Sequence, residues 1–202
     1  MATMRIDRLG VSAAAVGPAL FLVYFWSEAV FGPSQPNGGP LRMALGFTLV
    51  TGGLLCFALA LLRLHAQSPS GASGAARLGA LLGLLSMPLL TIGSALWWPI
   101  LFVWPEFGPV AGAAVGIGTL SLFGAWVLLG LEAAQKRSLP SWLRPLPLAL
   151  LGLFSLLLFV TATTSPWPLV GVVFVLFVVG WILLAYGIWS LATRTSRSPA
   201  SV

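Results

Sequence analysis

Six long apolar runs, almost free of charged side chains, constrain this chain more than any other feature of its sequence. Of its 202 residues, 58% are hydrophobic and 7% are charged, whereas a water-soluble domain carries roughly 25% charged residues. Crossing the apolar core of a bilayer takes roughly 20 helical residues, and each run is near that length. Backbone groups in lipid need hydrogen bonds within their own segment, which continuous runs supply as helices. The sequence therefore predicts an all-α membrane protein.

We predict that the chain is one domain, a single bundle of six transmembrane helices covering residues 1–202. The predicted spans are about 9–31, 41–62, 78–103, 109–131, 146–164 and 167–192. Small residues predict a flexible cytoplasmic linker at 66–76, and the polar segment 193–202 predicts a disordered tail.

The basic residues predict the orientation of this bundle. Nine of the ten lysines and arginines lie at the two termini or in the second and fourth connections, and only Arg42 lies in the other connections. Cytoplasmic loops of membrane proteins carry an excess of Lys and Arg. We therefore expect both termini in the cytoplasm and the chain in the inner (plasma) membrane. The wealth of Arg, Ala, Gly, Leu and Pro is typical of a bacterial protein from a GC-rich genome.

The net charge of +6 does not indicate nucleic-acid binding, because the basic residues stand singly or in pairs at the ends of apolar runs. The predicted partners are membrane lipids and either another membrane protein or further copies of this chain. The one histidine, His65, argues against a bis-histidine haem and against a histidine zinc site. The sequence contains no P-loop motif. No cofactor, metal site or catalytic residue is predicted.

Polar and aromatic residues gather at the predicted external end, where ionisable groups are candidates for function. Three interpretations of this end are open: a Glu28–Arg42 ion pair that fastens two helices, a shallow outer-leaflet site for a small amphiphile or cation, or catalysis by Glu28 and Glu106. Trp97 and Trp98 lie in the outer half of the third span, where they can line a pocket. The candidate ligand-binding residues are Glu28, Arg42, Tyr24, Trp97, Trp98 and Glu106.

Gly108, Gly112 and Gly116 are spaced four apart on the fourth span and form one smooth helical stripe. Small residues let a second membrane helix approach closely. We expect this stripe to pack inside the bundle, and the alternative is a contact with another chain. Gly79 and Gly83 repeat the pattern on the third span.

Two further patterns concern the membrane interfaces. Glu132 and Lys136 have the i, i+4 spacing and order of a favourable helical ion pair. Nine tryptophans are present, and we expect most of them to anchor helices at the interfaces, among them Trp142 and Trp189.

Three functions are open for such a chain. The mostly apolar spans and the glycine stripe favour a non-enzymatic accessory or structural membrane subunit. The alternative is a binding or transport protein for a small hydrophobic or lipid-like molecule, with its site near the outer leaflet. A lipid-acting membrane enzyme that uses Glu28 and Glu106 is the third.

Overall fold

A computed structural model describes residues 2–31, 40–66, 73–103, 105–136, 139–162 and 167–197. The side chains that it describes belong to residues 11–27, 41–42, 44–66, 73–100, 103, 106–136, 139–160, 169–191 and 193. The structural statements below concern these residues.

The described chain is helical, which confirms the all-α prediction. It forms α1 (Ala2–Phe31), α2 (Pro40–Ala66), α3 (Gly74–Phe102), α4 (Gly108–Gln135), α5 (Leu146–Ala162) and α6 (Trp167–Arg197), with a 3₁₀ helix at Pro105–Phe107. Four helices, α2, α3, α4 and α6, are long and apolar enough to cross a membrane. The described apolar parts of α1 and α5 are shorter, at Val11–Ser27 and Leu146–Val160.

Some helix ends differ from the predicted spans. α3 begins at Gly74, inside the predicted linker, because the Ser73 hydroxyl accepts a hydrogen bond from the Ala76 amide at 3.2 Å and caps the helix. α6 continues beyond the predicted end of the span to Arg197, and basic residues in a last turn are favoured by the helix dipole. Residues 67–72 of the predicted linker and 198–202 of the predicted tail lie outside the described residues.

Consecutive helices run antiparallel, and α2 lies at the centre of the bundle. α2 contacts α1, α3, α4 and α6. The sixth helix returns against the first, so that Phe25 of α1 stacks on Phe174 of α6 with ring centroids 3.9 Å apart. The start of α1 and the end of α6 therefore lie at one end of the bundle, which we name the terminal end. The opposite end is the distal end.

The described basic side chains are divided unequally between these ends. Arg63 lies in the last turn of α2 and Arg77 in the first turn of α3, both at the terminal end. Lys136 follows α4 and Arg144 precedes α5, at the same end. Arg42, in the first turn of α2, is the one described arginine at the distal end.

Aromatic side chains fill the centre of the bundle. The ring centroids of Phe57 and Trp126 are 3.9 Å apart, and those of Phe21 and Trp181 are 5.5 Å apart. The Trp126 indole also donates a hydrogen bond to the Pro147 carbonyl at 2.6 Å, which joins α4 to α5. Trp126 and Trp181 are each 1% exposed, so these two tryptophans pack inside the bundle.

Candidate functional site

At the distal end, Arg42 contacts the part of α1 that carries Glu28. The Arg42 guanidinium donates to the Ser27 carbonyl at 3.4 Å. Tyr24, one turn earlier in α1, is partly buried with its ring edge-on to Phe25 at 5.4 Å. Glu28 belongs to α1, but its side chain lies outside the described residues, so the Glu28–Arg42 ion pair stays a prediction.

Trp97 and Trp98 fasten α3 to α2. The Trp97 ring stacks on Phe47 with centroids 4.8 Å apart and planes 10° apart. The Trp98 indole donates to the Thr48 hydroxyl at 3.0 Å, and that hydroxyl donates to the Ala44 carbonyl at 2.8 Å. Neither tryptophan lines the two cavities described below.

Glu106 lies in the 3₁₀ helix between α3 and α4 and is exposed. The Glu28 side chain lies outside the described residues, so the distance between the Glu28 and Glu106 carboxylates is not described. In the described part of the chain, no three His, Cys, Asp or Glu side chains gather in a group that could hold a metal ion.

The predicted glycine stripe on α4 faces outward. Gly112 and Gly116 are exposed, and a Cβ atom built on either meets nothing within 4 Å. A Cβ on Gly108 would reach Ile100 only at 4.0 Å. Within the described chain, no other helix therefore packs closely against Gly112 or Gly116, although we expect the stripe to pack inside the bundle.

Other glycines provide the close helix contacts. A Cβ on Gly79 would lie 3.0 Å from the Leu128 Cβ, so this glycine lets α3 approach α4. A Cβ on Gly93 would lie 2.6 Å from a Val115 methyl, and one on Gly118 would lie 3.0 Å from the Leu90 Cγ. The packed glycines of the α3–α4 pair thus face inward, while the Gly112–Gly116 pair faces outward.

At the terminal end, a polar cluster joins α2 to α4. Glu132 pairs with Lys136, which confirms the predicted i, i+4 pair. The other Glu132 oxygen lies 3.0 Å from the His65 Nδ1 atom. The three side chains are only 11% to 18% exposed, and they line a cavity of about 10 Å³, which holds about one water molecule. The contact with His65 crosses between helices, so spacing within one helix does not reveal it.

An apolar groove of about 400 Å³ lies between α1 and α6, near the terminal end. It is lined by Val11, Ala14, Ala15, Pro18, Ile182, Ala185, Tyr186 and Trp189. Tyr186 stacks with Trp142 with ring centroids 6.3 Å apart, and the two residues are 57% and 43% exposed. Sequence analysis does not find this groove, because its walls come from the two ends of the chain.

No protein-family model, curated protein or solved structure matches the chain. Three features of its described surface could take part in binding. These are the outward glycines of α4, the distal contacts around Arg42 and the apolar groove between α1 and α6.

Proposed function

We propose that the chain is a multi-pass protein of a bacterial plasma membrane, crossed by all six helices, with both termini in the cytoplasm. The concentration of described basic side chains at the terminal end supports this orientation. α5 has 17 residues and extends over about 26 Å, close to the thickness of the apolar core. α1 and α5 also pack into the bundle against the other helices.

Within that membrane, the chain acts as a non-enzymatic accessory or structural subunit that binds a transmembrane helix of another protein or of a second copy. The outward pair Gly112–Gly116 carries this proposal. Glycine inside a helix costs stability through its backbone freedom. Where glycines of this bundle are covered, they allow close helix approach, and a second helix on α4 would use the outward pair in the same way.

The surface around these glycines suits a packed helix. Gly112, Ala113 and Gly116 are exposed and form a flat strip along α4. Ile117 and Leu120 stand beside this strip and are 54% and 73% exposed. A partner helix could bring its backbone onto the strip and place its own side chains against these two. Van der Waals packing of this kind drives helix association in lipid, where apolar burial brings no gain.

The test is native mass spectrometry of the full chain extracted gently from its membrane. The proposal expects a multimer, or a complex with another polypeptide. Replacing both outward glycines, Gly112→Leu with Gly116→Leu, should lower the association constant of the complex at least about tenfold, a loss of about 1.4 kcal/mol. The fold should survive, because a Cβ at these positions meets no neighbour.

Gly152→Leu is the matched control. Gly152 is an exposed glycine of α5 where a Cβ also meets nothing within 4 Å. It should leave the complex intact. A wild-type chain that is only monomeric, or an equal loss in Gly152→Leu, would refute the α4 contact.

A second candidate is a distal site for a small amphiphile or cation. One observation favours it: the Arg42 guanidinium reaches the Ser27 carbonyl, one residue before Glu28. Such a protein should carry an extra mass of small-molecule size in the same spectra. Glu28→Gln should remove that mass, while Glu132→Gln, which changes a carboxylate at the opposite, terminal end of the bundle, should keep it. Retention of the mass in Glu28→Gln would place the ligand elsewhere.

A further inference from the structure

We propose that the contact between His65 and Glu132 is a pH-sensitive device, in which a proton on His65 strengthens the attachment of α2 to α4 at the terminal end. Glu132 lies in the last turn of α4, whereas Gly112 and Gly116 lie in its first half. The proposal therefore does not depend on the subunit contact.

The Glu132 carboxylate determines which imidazole nitrogen of His65 carries a hydrogen. His65 Nδ1 lies 3.0 Å from Glu132 Oε2, and an ionised carboxylate only accepts hydrogen bonds. The Nδ1 atom therefore carries a hydrogen whether the imidazole is neutral or charged, and Nε2 is the atom that gains or loses a proton. Because the His65 side chain is 18% exposed, water at the terminal end can exchange that proton.

A proton on Nε2 changes the charge of the group that contacts α4. With a neutral imidazole, the contact is a hydrogen bond to a carboxylate, and with an imidazolium it is an ion pair with the same geometry. The Glu132 side chain is only 11% exposed, so water screens this attraction less than it screens a pair on an open surface. The charged form therefore holds the two helices together more strongly.

Lys136 opposes this effect but does not reverse it. Its ammonium contacts the other carboxylate oxygen, Glu132 Oε1. An imidazolium at position 65 thus has the carboxylate at hydrogen-bonding distance and the ammonium further away, and the interaction of two charges weakens with distance. The other residues that line the cavity at this cluster are apolar, namely Leu61, Leu64, Leu129, Ala133 and Leu139.

Further charged residues at the terminal end belong to the connections and to the helices beside α2. Those with described side chains do not line the cavity, and they are Arg63, Arg77 and Arg144. α1 and α6 also contact α2, and the charged residues near this end have side chains outside the described residues, namely Arg5, Asp7, Arg8, Arg194 and Arg197. The variants below separate their influence from that of Glu132.

The chain contains one histidine, so a change of stability within the imidazole range can be assigned to one side chain. The experiment is chemical unfolding of the full chain, in a detergent that keeps it monomeric, at about pH 5.5 and about pH 7.5. Carboxylates are ionised and lysines are charged at both values. The folding equilibrium constant should be about fivefold larger at the lower pH, the upper end of what exposed ion pairs contribute. This stability is present on the acid side and is lost as the pH rises through the imidazole range.

Three variants identify the groups responsible. His65→Asn keeps an N–H donor at the place of Nδ1 but takes up no proton, so its folding equilibrium constant should be the same at the two pH values. Glu132→Gln should also lose the gain at low pH, because the imidazolium then meets no carboxylate. Arg77→Gln, which removes an exposed charge at the same end, should keep the fivefold difference.

A wild-type chain that is no more stable at the lower pH overturns the proposal. So does a difference between the two pH values that persists in His65→Asn or in Glu132→Gln. Nitrogen NMR of the chain with isotope-labelled histidine tests the geometry directly. On the alkaline side, the neutral imidazole should carry its hydrogen on Nδ1, and a hydrogen on Nε2 instead would show that Glu132 does not accept from His65.

Discussion

The two faces of α4 differ in shape but hardly in polarity. The inward face is built from Ala111, Gly118, Leu122, Trp126 and Leu129, all buried. The outward face presents Gly112, Gly116, Leu120, Val127 and Leu131, all exposed. Hydrophobicity therefore does not decide which face packs, since lipid is as apolar as leucine. The fit of side chains against neighbouring helices decides it.

Gly116 and Gly118 show this difference within one turn of helix. A Cβ on Gly118 would crowd Leu89 and Leu90 at 3.0 to 3.1 Å, whereas a Cβ on Gly116 meets nothing within 4 Å. The same residue type thus permits a contact inside the chain at one position and leaves a surface open at the other. Four substitutions at these two glycines test whether this contrast holds in the folded protein, and two further substitutions on α4 test other contacts of the helix.

The largest effect is expected for Gly118→Leu. The new side chain has to displace Leu89, Leu90 and the backbone between them, so the free energy of unfolding should fall by about 3 kcal/mol or more. Chemical unfolding in a detergent that keeps the chain monomeric measures this. Gly116→Leu, two residues away on the outward face, should not lower the free energy of unfolding, because its side chain meets no neighbour in the fold and leucine favours a helix more than glycine does. Similar losses for both variants would contradict the assignment of the two faces.

A smaller loss is expected for Trp126→Phe. The phenylalanine keeps an aromatic ring in the core but leaves the buried Pro147 carbonyl without its 2.6 Å hydrogen bond from the indole, which costs about 1–3 kcal/mol. Thermal or chemical unfolding in detergent compares it with Trp189→Phe, where the ring is 51% exposed. That control should unfold like the wild type, and a drop of equal size there would mean that the hydrogen bond is not the cause.

Glu132→Gln should destabilise the chain by about 1 kcal/mol, because a neutral amide loses the ionic attraction to Lys136 and weakens the contact with His65. The exposed Glu106→Gln serves as the matched carboxylate, and its free energy of unfolding should not change. If Glu132→Gln unfolds like the wild type, the polar cluster does not stabilise the packing of α2 against α4.

The smallest effects should have opposite signs. Gly116→Ala should raise the free energy of unfolding by about 0.5–1 kcal/mol, because alanine restricts the unfolded backbone and meets open space in the fold. Gly118→Ala should lower it, because the added methyl lies 3.1 Å from the Leu90 backbone nitrogen. Shifts in the same direction for the two alanine variants would show that the two sites are equivalent.

Helix positions could be predicted from the sequence because they depend on the length of apolar runs. The packing faces could not, because helices that are apolar all round carry no periodic difference between core and lipid sides. This is why the stripe Gly112–Gly116 is predicted to pack inside, while the structure uses Gly93 and Gly118 for that purpose.

The candidate sites likewise divide into features that spacing within one helix predicts and features that depend on contacts between helices. The pair Glu132–Lys136 depends on spacing within one helix and is predicted correctly. His65 and the groove between α1 and α6 depend on which helices become neighbours, which spacing along the chain does not specify. Trp126 and Trp181 lie well inside their helices rather than at the ends, and that central position is the signal that could have identified them as core residues.

The return of α6 onto α1 makes the order of helices cyclic. α1 packs against α2 and also against α6, so the bundle has no first or last helix in space. Ala66, at the end of α2, lies at the terminal end together with the start of α1 and the end of α6. Consider a circular permutant in which a short linker joins the end of α6 to the start of α1 and the new termini lie between Ala66 and Ser73. Such a chain would keep every helix contact and direction. The contacts and directions of the six helices are therefore compatible with a chain that begins and ends between Ala66 and Ser73.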